Sequence, residues 1–168
     1  KSELSQYNTN LKSLCDLPKE LRELLIKIPR SSDAMDVLRT AISYLGILEP
    51  EVNLENHFHI ADKLMVLMPR IIACWRGIEI NKTDSIAMAT CKACCDGEFD
   101  DKAVHAMNAS LILYAEHEFN ASTFASRVTA ATLSDIYSSV CSAIGTLRGP
   151  LHGGANREAL KLIKEFKN

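Results

Sequence analysis

Apolar residues recur every three or four positions along nearly the whole chain, and this spacing most limits what the sequence can fold into. The segment AMDVLRTAISYLG is typical, because Met35, Leu38, Ile42 and Leu45 fall on one face of a helix. No series of segments alternates apolar and polar residues, which is the pattern of half-buried strands. We therefore predict an all-α fold of about eight helices.

Prolines and capping residues divide this pattern into separate helices. Pro18 is acceptable as a first helical residue, and Pro29 ends the helix that Pro18 begins. Ser31, Ser32 and Asp33 are candidate N-caps for the next helix. Further helices are predicted over residues 54–75, around 85–95, from 101 to near 120, over 121–132 and 133–147, and from about 153 to 164. The polar connection over residues 76–84 is the one stretch where a short β-turn or a strand pair could form.

Composition argues against several classes of partner. The formal net charge of −2 gives no electrostatic basis for binding nucleic acid or an anionic membrane. No apolar run reaches the roughly 18 residues that a membrane-spanning helix requires. No secretory or transit segment opens the sequence. We expect a cytoplasmic protein with neither nucleic acid nor membrane as a partner.

Three of the six cysteines form the motif CKACC, which superficially resembles a metal or redox site. A zinc site of this kind needs a second ligand cluster with matching spacing, and the sequence contains none. We therefore interpret Cys91, Cys94 and Cys95 as small helical thiols, some of them packed as hydrophobic residues. No metal site is predicted.

A histidine lies at an unusual junction in LRGPLHGGANREAL. Pro150 cannot continue the preceding helix, and Gly153 and Gly154 permit close backbone approach by a ligand. The N-terminus of the next helix carries partial positive charge, which favours a neutral imidazole on His152. A neutral imidazole can donate one hydrogen bond to a carbonyl oxygen that develops negative charge. The alternative is a helix-capping histidine in a loop.

A second histidine, His117, stands near the predicted end of a helix in LYAEHEFNASTFASR. An ordinary C-terminal cap explains it, because a cation is favourable at that position. A functional role requires His152 as a neighbour, and the two meet only if the intervening helical pair folds back on itself.

The motifs HEFNAST and GTLRGPLHGGAN closely resemble the citrate synthase family, and their flanking residues resemble its 2-methylcitrate synthase branch. The resemblance implies a mostly helical homodimer that condenses an acyl-CoA with oxaloacetate and releases CoA. It implies no bound cofactor and no metal, since CoA arrives as the thioester substrate. His117 would hydrogen-bond oxaloacetate, and His152 would hold the thioester carbonyl and stabilise the enol. Residues that bind a cofactor are not assigned.

The family's third histidine, catalytic aspartate and oxaloacetate-binding arginines lie beyond the motif at His152, and none is found within these residues. We expect residues 1–168 to be part of the large helical domain, without the N-terminal segment, the small domain and the C-terminal part. On that basis the 168 residues alone should not catalyse the reaction.

The flanking sequence favours propionyl-CoA as substrate and 2-methylcitrate as product, which would place the protein in propionate catabolism. One alternative is a citrate synthase that uses acetyl-CoA in the tricarboxylic acid cycle, because one methylene is worth only about 1–3 kcal/mol to a pocket. A different alternative is a catalytically silent helical scaffold derived from this family.

Overall fold

Eight α-helices make up the described part of the chain in a computed structural model that describes residues 2–95, 98–116, 119–154 and 158. They are α1 (Ser2–Ser13), α2 (Lys19–Lys27), α3 (Ala34–Leu48), α4 (His57–Arg76), α5 (Ile86–Cys94), α6 (Asp101–Leu113), α7 (Ala121–Ala130) and α8 (Ile136–Leu147). One 3-10 turn, Leu54–Asn56, precedes α4. No strand occurs in these residues, so the all-α prediction is confirmed.

The core lies where α3 and α4 meet α2 and α8. Apolar side chains that share this core are fully buried, among them Leu21, Leu25, Ile42, Leu45 and Leu67. From α4 the packing continues outward to α5 and then to α6, and from α3 it continues to α8 and then to α7. The periodic apolar residues predicted to line helix faces at Ile42 and Leu45 therefore do face the core.

Side-chain caps determine where five of the described helices begin. Of the three candidates before α3, Asp33 is the cap, and its carboxylate accepts a 2.9 Å hydrogen bond from the Met35 N–H. Ser85, Asp100, Asn120 and Asp135 cap α5, α6, α7 and α8 in the same way. Each cap satisfies an N–H that has no partner inside its helix.

One predicted helix end differs from the structure. The helix predicted from residue 101 to near 120 ends at Leu113, because α6 buries none of its residues and little packing supports a further turn. The connection over residues 77–84 contains turns and no strand, and it begins with Gly77 at φ +70°, a left-handed conformation that glycine adopts freely. Of the last predicted helix, Gly153, Gly154 and Glu158 are described; Gly153 lies in a turn, and the other two are helical.

Candidate active site

The start of α7 forms one side of the candidate site. Asn120 caps the helix, and its side-chain oxygen accepts hydrogen bonds of 2.8 Å from Ser122 N and 3.3 Å from Thr123 N. The preceding Phe119 has φ +40°, a region that bulky residues rarely adopt, and its side chain is fully exposed. The cap therefore fixes the first turn of α7, which holds Ser122 at 8% exposure.

Helices α7 and α8 pack side by side as an antiparallel pair. The Ser142 hydroxyl on α8 donates to the Ala125 carbonyl on α7 at 3.4 Å, midway along the pair. Small residues allow this close approach, in agreement with the Ala and Ser content of both segments. The fold-back brings the first turn of α7 to the end of α8, and such a fold-back is what the sequence analysis required for His117 and His152 to be neighbours.

The N-terminus of α8 is held by two carboxylates. Asp135 accepts from the backbone N–H of Ser138 at 2.9 Å and from its hydroxyl at 2.7 Å. Burial alone would raise the pKa of Asp135, but the hydrogen bonds from Ser138 outweigh it, and the pKa is lowered. Glu51, far away in sequence, accepts from the Ile136 N–H at 2.7 Å. These bonds fix the axial position of α8 and hence of the turn at its other end.

That turn, over residues 149–154, is compact because its backbone folds against the end of α8. The N–H of Gly153 donates to the Leu147 carbonyl at 3.1 Å, and the N–H of His152 donates to the Gly149 carbonyl at 3.0 Å. A Cβ atom on Gly153 would lie 2.1 Å from the Leu147 oxygen, so no larger residue fits. The close approach expected at Gly153 is thus to the chain's own backbone, which leaves no need to invoke a ligand there.

The central contact of the site joins His152 to Ser122. The Nε2 atom of His152 lies 2.7 Å from the Ser122 Oγ, and both side chains are at least partly buried. A serine hydroxyl can either donate to or accept from a neutral imidazole. When the hydroxyl donates, Nε2 is the acceptor and the proton stands on Nδ1, where it can be donated to a third group. Sequence analysis missed Ser122, because thirty positions separate it from its partner.

Arg148, next to this turn, is engaged within the fold. Its Nε and Nη2 atoms each lie 3.3 Å from the Asp36 carboxylate, and Nε lies 3.7 Å from the Asp33 carboxylate. The contact ties the end of α8 to the first turn of α3.

His117 lies outside the described residues, so its predicted contact with oxaloacetate stays a prediction.

The cysteines of the CKACC motif differ in burial, since Cys91 is buried, Cys95 is half-buried and Cys94 is exposed. Burial raises the pKa of the Cys91 thiol, and the neighbouring thiols of Cys95 and Cys94 raise it further. Cys91 is therefore the fully packed thiol among the three. Across the described ranges, no group of three or more His, Cys, Asp or Glu side chains is arranged to hold a metal ion.

None of the helices that the structure describes is both long enough and apolar enough to span a bilayer. The described surface exposes apolar side chains at and just after the end of α6, namely Ile112, Leu113 and Tyr114, and others on α7 and just before it, namely Phe119, Phe124 and Val128.

Comparison with known proteins decides the family. The family model for the citrate synthase C-terminal domain matches residues 1–168. The chain belongs to the citrate synthase family. The 2-methylcitrate synthase of Shewanella oneidensis is 45% identical to this chain, over 99% of this chain and 47% of the relative. The 2-methylcitrate synthase of Mycobacterium tuberculosis is 41% identical over 95% of this chain and 42% of the relative. Citrate synthase 2 of Bacillus subtilis is 38% identical over 99% of this chain and 48% of the relative.

Solved structures agree with this family assignment. The citrate synthase of Thermoplasma acidophilum, in a ternary complex with carboxymethyl coenzyme A and oxaloacetate, has a TM-score of 0.83 and 28% identity. That match covers all of this chain and 46% of the archaeal chain. This chain therefore spans less than half the length of the citrate synthases it resembles.

Proposed function

We propose that the whole protein to which these residues belong condenses propionyl-CoA with oxaloacetate and water to give 2-methylcitrate and CoA. The observation that carries this proposal is the pairing of His152 with Ser122 at the turn that resembles the family's motif. Two of the relatives named above, at 45% and 41% identity, are 2-methylcitrate synthases, which favours propionyl-CoA as the acyl donor. Residues 1–168 would form part of the large helical domain of this acyltransferase.

In the proposed reaction, His152 acts on the acyl-CoA as the catalytic hydrogen-bond donor. The Ser122 hydroxyl donates to Nε2, which leaves the Nδ1–H of His152 to donate to the thioester carbonyl oxygen. When the α-carbon loses its proton, negative charge develops on that oxygen, and the fixed donor stabilises the resulting enol. The α-carbon then forms a bond to the keto carbon of oxaloacetate, the C=O π bond of that ketone opens, and its oxygen takes up a proton to become a hydroxyl. Water finally hydrolyses the thioester to a carboxylic acid and releases CoA as the free thiol.

His117 is the proposed ligand of oxaloacetate. Support comes from the motif HEFNAST and from the fold-back of α7 on α8, which brings Ser122 of that motif to within 2.7 Å of His152. The acyl and keto substrates must meet within bonding distance, so residues that bind them must come from neighbouring segments.

A homodimer is the proposed assembly, with the exposed apolar face of α7 in its interface. Phe124 and Val128, one helical turn apart on α7, are 70% and 52% exposed, so the described residues leave this face uncovered. Light scattering on the complete protein tests this proposal. Phe124→Glu should lower the measured mass to that of a monomer, whereas Phe58→Glu, which changes a similarly exposed phenylalanine on α4, should leave the dimer intact. A dimer that persists in Phe124→Glu contradicts the proposed interface.

Turnover by the complete protein tests the proposed reaction. Free-thiol release from propionyl-CoA should depend on oxaloacetate, and mass spectrometry should identify 2-methylcitrate. His152→Ala should lower kcat strongly, because a hydrogen bond to the transition state is lost. Thiol release without oxaloacetate would indicate simple thioester hydrolysis and would contradict the proposal. A folded protein that releases no thiol would favour the silent scaffold.

The second candidate is a citrate synthase that uses acetyl-CoA. It is favoured by the 38% identity to citrate synthase 2 of Bacillus subtilis over nearly the whole chain. The two candidates share the same chemistry at His152 and differ by one methylene in the acyl group.

A further inference from the structure

A cleft of about 580 Å³ opens between α2, the second half of α4 and the connection that follows α4. Its walls combine apolar residues such as Ile26 and Ile78 with four cationic side chains, those of Arg22, Arg30, Arg70 and Lys82. None of the lining residues belongs to α7, α8 or the turn of His152. A cavity of this volume has the size of a small-molecule site.

The deepest cation in this cleft is a buried guanidinium without a counter-ion among the described residues. Arg70 is only 7% exposed. Its donors reach backbone carbonyls, those of Val66 at 3.1 Å, Asn81 at 3.3 Å and Asp84 at 3.4 Å. No described carboxylate lies within ion-pair distance of Arg70, although buried charges in proteins are normally paired.

Two further guanidinium groups flank the Cys74 thiol at the rim. Arg22 is oriented by a 3.1 Å bond from its Nε to the Leu17 carbonyl, and the Arg30 Nη2 lies 3.2 Å from the position a Cβ atom on Gly77 would occupy. Burial raises the pKa of Cys74, and the charges of Arg22 and Arg30 partly offset that effect. In the described part of the chain neither arginine forms an ion pair with a carboxylate.

The charge balance of the cleft is opposite to that of the chain. Lys82 is paired with Asp16, and Glu79 is the second carboxylate in the lining. Four cationic groups against two carboxylates leave a net charge of +2 in the cleft, whereas the whole chain carries −2. Guanidinium groups bind phosphate and carboxylate through two parallel hydrogen bonds, so this arrangement selects oxyanions.

We propose that this cleft is a binding site for an organic anion with at least two phosphate or carboxylate groups. The anion would lie between Arg22 and Arg30, with one charged group directed toward Arg70, and its carbon skeleton would contact the apolar wall. Binding there does not depend on the proposed condensation reaction.

Calorimetry on the complete protein tests the site, with pyrophosphate and glutarate as separate probes for phosphate and carboxylate recognition. Arg22→Gln combined with Arg30→Gln should weaken binding of the preferred probe by at least about tenfold, because both changes remove charged hydrogen-bond donors. Lys27→Gln is the control, since it removes an exposed cation from α2, the helix of Arg22, at a position outside the cleft. Both arginines are exposed, so the double variant should fold even if a change at Arg70 would not.

Alkylation of Cys74 by iodoacetamide, followed by peptide mass spectrometry, gives an independent readout. The bound probe should slow alkylation of Cys74 and leave Cys94, which is outside the cleft, unaffected. Binding of either probe that is sensitive to the double variant supports the site and identifies the preferred group. The proposal is overturned if neither probe binds at millimolar concentration or if the double variant binds as the wild type does. It is also overturned if Cys74 in the free protein is inaccessible to the reagent, because another part of the chain would then cover the cleft.

Discussion

Replacing Ser122 by alanine in the complete protein removes the hydroxyl that lies 2.7 Å from the Nε2 atom of His152. Ser122 is buried and His152 is half-buried, so the ring nitrogen loses its partner and gains only limited access to water. Such a loss costs about 1–3 kcal/mol. If the cost falls on the transition state, kcat decreases about 5- to 150-fold. Ser122 is a positioning residue in this account, because it acts through His152.

Thiol release measured over a range of both substrates separates this role from a structural one. The Ser122→Ala variant should lose kcat while its affinity for oxaloacetate and its melting temperature change little, and Ser122→Thr, which keeps a hydroxyl, should recover part of the activity. Ser142→Ala is the matched control, since it removes a hydroxyl from the same helix pair without touching His152. An unchanged kcat in Ser122→Ala would refute the reasoning, as would an equal loss in Ser142→Ala.

Three further predictions concern glycines and a buried tyrosine. Gly153→Ala should reduce activity more than Gly154→Ala. A Cβ atom at residue 153 would lie 2.1 Å from a backbone oxygen, whereas a Cβ atom at residue 154 would lie 3.6 Å from its nearest neighbour. Equal kcat values in the two variants would contradict this prediction. Gly46→Ala should lower the free energy of unfolding by about 1–3 kcal/mol, because the new Cβ atom would lie 3.0 Å from Tyr137. Gly145→Ala should leave the free energy of unfolding unchanged, because its Cβ atom would have no neighbour closer than 4.0 Å. Denaturant titration of both variants checks this prediction. Burial first, then the charges of nearby carboxylates, raises the pKa of Tyr137 to about 12. The unfolded chain therefore releases the Tyr137 proton at lower pH than the folded chain does. Stability that is present below a pH of about 10 should then be lost as the pH rises toward 12. The Tyr137→Phe variant should lose less stability over that interval.

Local rules predicted much of the fold because the sequence obeys them consistently. Asp33 is a cap in the structure because its carboxylate meets an orphan N–H, a contact that depends on only three consecutive residues. Apolar spacing identified α3 and α4 for the same reason, since Ile42 and Leu67 face the core at helical intervals. The predicted end of α6 was wrong. The composition after Leu113 is compatible with a longer helix, but α6 buries none of its residues and so gains little from packing.

The candidate site could be predicted only in part. The Pro-His-Gly-Gly sequence indicated His152, but the contact with Ser122 depends on how α7 folds back on α8, which no local pattern reports. Gly153 was identified as a point of close approach, yet its neighbour is the Leu147 carbonyl, six residues earlier in the same chain. The ion pairs of Arg148 with α3 were likewise missed, because they join segments more than 100 residues apart.

We propose that His152, held by Ser122, stabilises the enol of propionyl-CoA during condensation with oxaloacetate. This proposal is tested by comparing kcat/KM of the complete protein for propionyl-CoA and acetyl-CoA at saturating oxaloacetate, with the product identified in each case. We expect 2-methylcitrate formation with the higher kcat/KM for propionyl-CoA. A higher kcat/KM for acetyl-CoA would make the protein a citrate synthase in substrate preference, and the absence of oxaloacetate-dependent product from either thioester would contradict the proposed reaction.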